Sequence, residues 1–197
     1  VARLEKNRDL DIGVSLEDSR FRFNIYYQKG ELAMVVRRVP SGALSFSELA
    51  LPTVLTSLAE APRGLVLVTG STGSGKSTTM AAMLHHINSS SAKHIVTVED
   101  PIEFVHQDLQ SVVNQREIGT DTTDFFTSLR HIVRQSPDVI IIGEMRDLDT
   151  ISTAVSAAMT GHLVISTMHT VDVVQTLERI ISYFPDQRRD QIALDLG

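Results

Sequence analysis

The residues GLVLVTGSTGSGKSTT, from Gly64 to Thr79, restrict what this chain can fold into more than any other stretch. An apolar run that reads as a buried strand passes directly into Gly70-Ser71-Thr72-Gly73-Ser74-Gly75-Lys76-Ser77, which satisfies G-x-x-x-x-G-K-[ST] between a strand and a helix. Glycines at these positions let the backbone turn successive N–H groups toward a phosphate, and the helix that follows adds the partial positive charge of its N-terminus. Lys76 is thereby placed to contact β- and γ-phosphates and the Ser77 hydroxyl to hold magnesium, with the loop from Ser71 to Thr78 cradling the remaining phosphate oxygens. A chance Gly/Ser turn could match the spacing, but it would not need a strand before it and a helix after it.

The organisation of the chain agrees with that motif. From Gly64 onward apolar strands alternate with amphipathic helices: LVLVT, KSTTMAAMLHHIN, HIVTVE, SVVNQ, TDFFTSLRHIVRQ, DVIIIGE, LDTISTAVSAAM, HLVISTM and DVVQTLERIISYF. This pattern predicts an α/β fold, a parallel-rich sheet covered by helices on both faces. The opening segment differs, because FRFNIYY and LAMVVRRV, separated by QKGE, alternate with period two and predict an antiparallel hairpin. Between them a Pro-, Gly- and Ser-rich stretch leads into a short helix that stops before Pro62. The expected division is a small N-terminal unit at 1–40, a linker at 41–63 and the nucleotide-binding unit at 64–197. The chain opens without methionine and stops at DQIALDLG inside a helical pattern, so both ends read as cut.

Composition excludes some functions. With 24 acidic against 18 basic residues the net charge is −6, which leaves no basic stripe for nucleic acid to exploit. The sequence contains no cysteine, hence no disulfide or thiolate metal site. No apolar stretch approaches the roughly 20 residues that cross a bilayer, and VARLEKNRDLD lacks a signal-peptide core. A soluble protein without direct membrane insertion is expected.

Acidic residues follow two of the predicted strands, on the side where parallel sheets collect their ligands. Glu144 ends DVIIIGE and is a candidate to bind magnesium through water or to polarise an attacking water. In HIVTVEDPIEF, Pro101 stops the strand and presents Glu99, Asp100 and Glu103 together, any one of which could be a general base. Two histidines frame a later strand: His162 opens it and His169 closes it, the latter on the ligand side and able to sense a γ-phosphate. His85 and His86 read as neighbours without chemistry. No set of residues has metal-ligand spacing, so magnesium accompanying a nucleotide is the only metal expected.

Taken in order, GLVLVTGSTGSGKSTTMAAML, HIVTVEDPIEFVH, VVNQREIGTDTTDF, PDVIIIGEMRDLDT and TGHLVISTMHT resemble the motifs of type IV pilus retraction ATPases, in the secretion-ATPase superfamily of hexameric motors. The resemblance covers nearly the whole chain. It implies a RecA-like domain at 64–197 preceded by the end of a PAS-like domain at 1–40. Glu103 would be the catalytic carboxylate, Glu144 the magnesium-side acid, and His162 and His169 the histidine-box members. Arginines that reach the phosphates within a chain or from a neighbour would be drawn from Arg20, Arg22, Arg37 and Arg116. The substrates and partners implied are ATP with Mg2+, a homo-hexamer, and an inner-membrane pilus platform protein met at the cytoplasmic face of the membrane. TLERIISYFPDQRRDQI is similar to the retraction type, while an assembly or type II secretion motor and a nucleotide-gated binding module without turnover remain the alternatives.

Overall fold

The computed structural model describes residues 2–16, 19–40 and 42–196; Val1, Glu17, Asp18, Ser41 and Gly197, which the expected division includes, lie outside them. After a short helix α1 (Ala2–Asn7) come three strands, β1 (Asp9–Leu16), β2 (Ser19–Gln28) and β3 (Glu31–Val39), paired antiparallel in the order β1-β2-β3. The expected hairpin is β2 and β3. β1 is a third strand that the alternation of Leu10, Ile12, Val14 and Leu16 also carries, and the sequence reading did not single it out. In the observed register Arg22 faces Arg37 and Phe23 faces Val36, so the arginines share one face and the apolar residues the other.

Helix α2 (Val54–Ala59) lies within the linker stretch. Beyond it run β4 (Gly64–Thr69), α3 (Lys76–Ser90), β5 (His94–Glu99), β6 (Val112–Glu117), α4 (Phe125–Ile132), β7 (Val139–Ile142), α5 (Leu148–Met159), β8 (Leu163–Met168), α6 (Val173–Tyr183) and α7 (Asp186–Leu196). The five strands are all parallel, in the order β4-β8-β7-β5-β6.

Strand side chains alternate between two cores, as a sheet covered on both faces requires. Val96, Val98, Ile140, Ile142 and Val164 point into one core with α4, α5, α6 and α7, where Leu129, Ile132, Ile151, Ile180 and Phe184 meet them. Ile95, Val139, Ile141, Leu163 and Ile165 point the other way, against Met80, Met83, Leu84 and Ile87 of α3 and Ala59 of α2. The helices begin where short acidic side chains accept backbone N–H groups: Asp124 from Thr127, Asp147 from Thr150 and Asp172 from Gln175.

One parallel crossover lacks a helix. Between β5 and β6 the chain runs as an irregular loop over 100–111, pinned by the buried Asn88 at the end of α3. Its Nδ2 donates to Gln107 O at 2.7 Å and its Oδ1 accepts from Leu109 N at 3.1 Å. This loop carries the acidic cluster, so its anchoring fixes where those carboxylates lie.

Candidate active site

Loop 70–75 follows β4 and opens α3 at the carboxyl edge of the parallel sheet. Gly70, Gly73 and Gly75 have φ of 147°, 78° and 94°, values that L side chains rarely adopt, so the loop path depends on glycine there. Around Gly73 and Gly75 an added Cβ would meet nothing within 4 Å, which leaves the concave side of the loop open. Gly75 caps α3 with no side-chain hydrogen bond, and the first turn carries no acid. The N–H groups and positive end of this helix are therefore presented to an anion without competition.

Lys76 is almost wholly buried under the loop, its Nζ donating to Gly70 O at 2.9 Å and Ser71 O at 2.8 Å. These two carbonyls hold the ammonium beneath the cradle. A cleft of about 480 Å³ extends from there, lined by Thr72, Gly73, Gly75, Lys76, Ser77 and Thr78 on one wall. Ser71 and Ser74 do not line it. Ser71 O also accepts from Ser74 N, which closes a turn within the loop.

The opposite wall brings together the carboxyl ends of β5 and β7, with Glu99, Asp100, Glu103 and Glu144 all lining the same cleft. Their environments differ. Glu99 accepts from Thr97 Oγ1 at 2.6 Å, Gln115 Nε2 at 3.1 Å and the Glu103 backbone N–H at 3.4 Å. Burial pushes its carboxyl above the usual carboxylate range, against the lowering effect of these donors. Glu99 thus braces the loop, whereas the Glu103 carboxylate is exposed to the cleft. Glu144, with its side chain 12% exposed, forms an ion pair with Arg146 Nε and lies 3.5 Å from His169 Nε2. Arg146 lines the cleft although the sequence reading passed over it; an arginine two residues after the strand-end acid was the available signal.

The candidate arginines and histidines separate. Arg37, on β3, reaches the cleft and is the N-terminal arginine that lines it. Arg20 instead pairs with Glu117 at 2.8 Å, Arg22 lies 3.5 Å from Asp11, and Arg116 donates to Asp121 O at 3.0 Å. His169 lines the cleft, but His162 does not. It precedes β8, roughly 23 Å from His169 along an extended strand. There its backbone N–H and ring Nδ1 both bond Ala157 O, at 3.1 and 3.0 Å, closing the end of α5. The resemblance groups His162 with His169, and in this fold the two lie at opposite ends of β8, His162 at a helix-end contact and His169 at the cleft.

Oxygen donors suit magnesium, and the Ser77 hydroxyl and Glu144 carboxylate face one cleft. Among the described residues no group of three or more His, Cys, Asp or Glu could hold a metal alone.

Comparisons with known proteins follow the same outline. The family described as Type II/IV secretion system protein matches residues 8–186. A "Twitching motility protein" of Neisseria gonorrhoeae is 47% identical over 189 residues, covering 95% of this chain and 50% of that protein. The "Type IV pilus retractation ATPase PilT" of Pseudomonas aeruginosa is 48% identical over 174 residues, covering 88% of this chain and 51% of that protein. The crystal structure of the pilus retraction motor PilT with bound ADP superposes with a TM-score of 0.95 at 45% identity, over 99% of this chain and 57% of that one. The chain spans about half the length of the curated relatives it matches. With its nucleotide-loop geometry and this breadth of match, the chain belongs to the type II/IV secretion system protein family.

Proposed function

We propose that this chain is the nucleotide-hydrolysing part of a hexameric motor that powers type IV pilus retraction. Residues 1–40 end a PAS-like N-terminal domain, 41–63 link it, and 64–197 belong to a RecA-like ATPase domain. The observation that carries the reading is one cleft bounded on one side by Lys76 and the loop amides and on the other by Glu103 and Glu144.

In this reading the loop N–H groups and the α3 N-terminus bind the phosphates of ATP, and Lys76 exchanges its two carbonyl acceptors for phosphate oxygens. Magnesium, held with Ser77 and Glu144, supplies positive charge against the phosphates. Glu103, with its carboxylate free in the cleft, orients a water for attack and takes its proton. His169 and Arg37 face the same space and supply hydrogen-bond donors where charge develops, with Arg146 holding Glu144 in place. Work would be done on an inner-membrane pilus platform from the cytoplasmic side. No helix among the described residues is long and apolar enough to cross a membrane.

The test is phosphate release by the full-length protein and two variants. Glu103→Gln retains ATP binding while turnover falls at least about 100-fold, and Lys76→Ala loses binding itself. In cells, Glu103→Gln leaves pili assembled but unable to retract. A wild-type ring that binds ATP yet releases no phosphate overturns the reading in favour of a nucleotide-gated binding module.

A further inference from the structure

The two sheets meet at few points, and two of those points flank Glu103. On one side Glu117, at the end of β6 and 3% exposed, directs a single carboxylate oxygen at two partners. Its Oε2 accepts from Arg20 Nη2 at 2.8 Å and from the backbone N–H of Ile102 at 3.1 Å. Its other oxygen accepts from Thr120 Oγ1 at 3.3 Å. On the other side Val105 exchanges backbone bonds with the segment leaving β3: Val105 N donates to Pro40 O at 3.1 Å, and Gly42 N donates to Val105 O at 2.7 Å. Space for the first contact is kept by Gly13 on β1, where a Cβ would lie 2.5 Å from Arg20 Nη2 and 2.9 Å from Glu117 Oε1.

We propose that Glu117 is a positioning residue that ties the placement of Glu103 to the placement of the N-terminal sheet, through Arg20 on one side of the bond and Ile102 on the other. The physical case rests on burial and rigidity. An ion pair removed from water is costly to open on one side only, because the remaining charge is left without a partner. Arg20 therefore moves with Glu117, and the Ile102 amide follows the same carboxylate. Among the described residues Arg20 Nε finds no acceptor, and the ion pair that holds the guanidinium is the one to Glu117. A tilt of the β1-β2-β3 sheet is then felt at the residue next to Glu103, where a displacement on the order of 1 Å can cost about 100-fold in rate. Arg20, a candidate for direct phosphate contact by sequence, acts on the cleft at one remove.

This proposal rests on the reading of Glu103 as the water-orienting carboxylate, so the experiment separates the two. In the full-length protein, Glu117→Gln keeps an acceptor for Ile102 N–H but removes the charge, and Arg20→Lys keeps the charge but not the planar fork. Each is expected to lower kcat about tenfold with the KM for ATP within about twofold of wild type. The double variant is expected to be no slower than the slower single one, because both act through one link. Hydrogen exchange at the Ile102 amide, measured without nucleotide, is expected to speed up about tenfold in Arg20→Lys. Additive losses, a KM effect confined to Arg20→Lys, or lowered stability with kcat unchanged each overturn the proposal. If the single variants fold poorly, unchanged exchange at Ile102 in the milder Arg20→Lys protein overturns it alone. Wild-type protein without phosphate release sinks the ATPase reading, and exchange at Ile102 then decides the link by itself.

Discussion

The two sheets of this chain solve the same problem in different ways. Strands of the parallel sheet are apolar on both faces and covered on both, so Val96, Ile140, Val164 and Ile165 have no exposed surface. The antiparallel sheet gathers Ile12, Phe23, Ile25, Met34 and Val36 on one face, yet Met34 is 62% exposed and Leu32 57%. Three strands with an uncovered apolar face make a weak core. The parallel sheet thus carries the stability, while the antiparallel sheet carries placed charges, Arg37 into the cleft and Arg20 onto Glu117.

The sharpest way to break that division is a pair of truncations. Ile140→Ala, within the parallel core, should lower unfolding free energy by about 2–5 kcal/mol in a urea titration. Met34→Ala on β3 should change it by less than about 0.5 kcal/mol. Similar losses from the two would show that both sheets bear the load.

A smaller effect concerns activity alone. Arg37→Gln should reduce kcat/KM for ATP about tenfold and leave the urea midpoint where it was, whereas Arg22→Gln, which removes only a surface contact to Asp11, should change it less than about twofold. A stability loss in Arg37→Gln that accounts for its activity loss would remove the distinction between a scaffold sheet and a charge-bearing one.

The smallest effect is a pH dependence lodged on the loop beside the parallel sheet. His106 lines the cleft, and burial, aided by the neighbouring charge of His85, pushes its pKa from 6.5 down to about 4. The unfolded chain therefore binds the extra proton first as pH falls. The stability is complete above about 6.5 and is lost progressively toward pH 4. Because the ring is only partly buried, the loss should be on the order of 1 kcal/mol. Urea midpoints at pH 7.5 and 5 should differ more for wild type than for His106→Gln, and equal differences would show that the ring is solvated.

Much of the site was legible along the chain because its signals are local. The glycine spacing before Lys76 dictates a loop, and an apolar run ending in Glu144 or in EDPIE dictates an acid at a strand's carboxyl end. The same reasoning separated His169 from His162 in direction, although the resemblance grouped them. Strand β1 carries the same period-two alternation as β2, but the sequence reading singled out only the β2–β3 hairpin. The division of the arginines was not legible. Arg20, Arg22 and Arg37 look alike in sequence, and only their partners distinguish them.

Local order along the chain dictates the phosphate loop, the alternation that makes a parallel sheet and the strand ends where acids gather, because backbone conformation and side-chain period depend on neighbours a few residues away. The order β4-β8-β7-β5-β6, the choice of Arg37 for the cleft, and the bond from Arg20 to Glu117 across 97 residues arise only on packing. Such choices depend on which surfaces exclude water together, a property of the packed whole that no local pattern encodes.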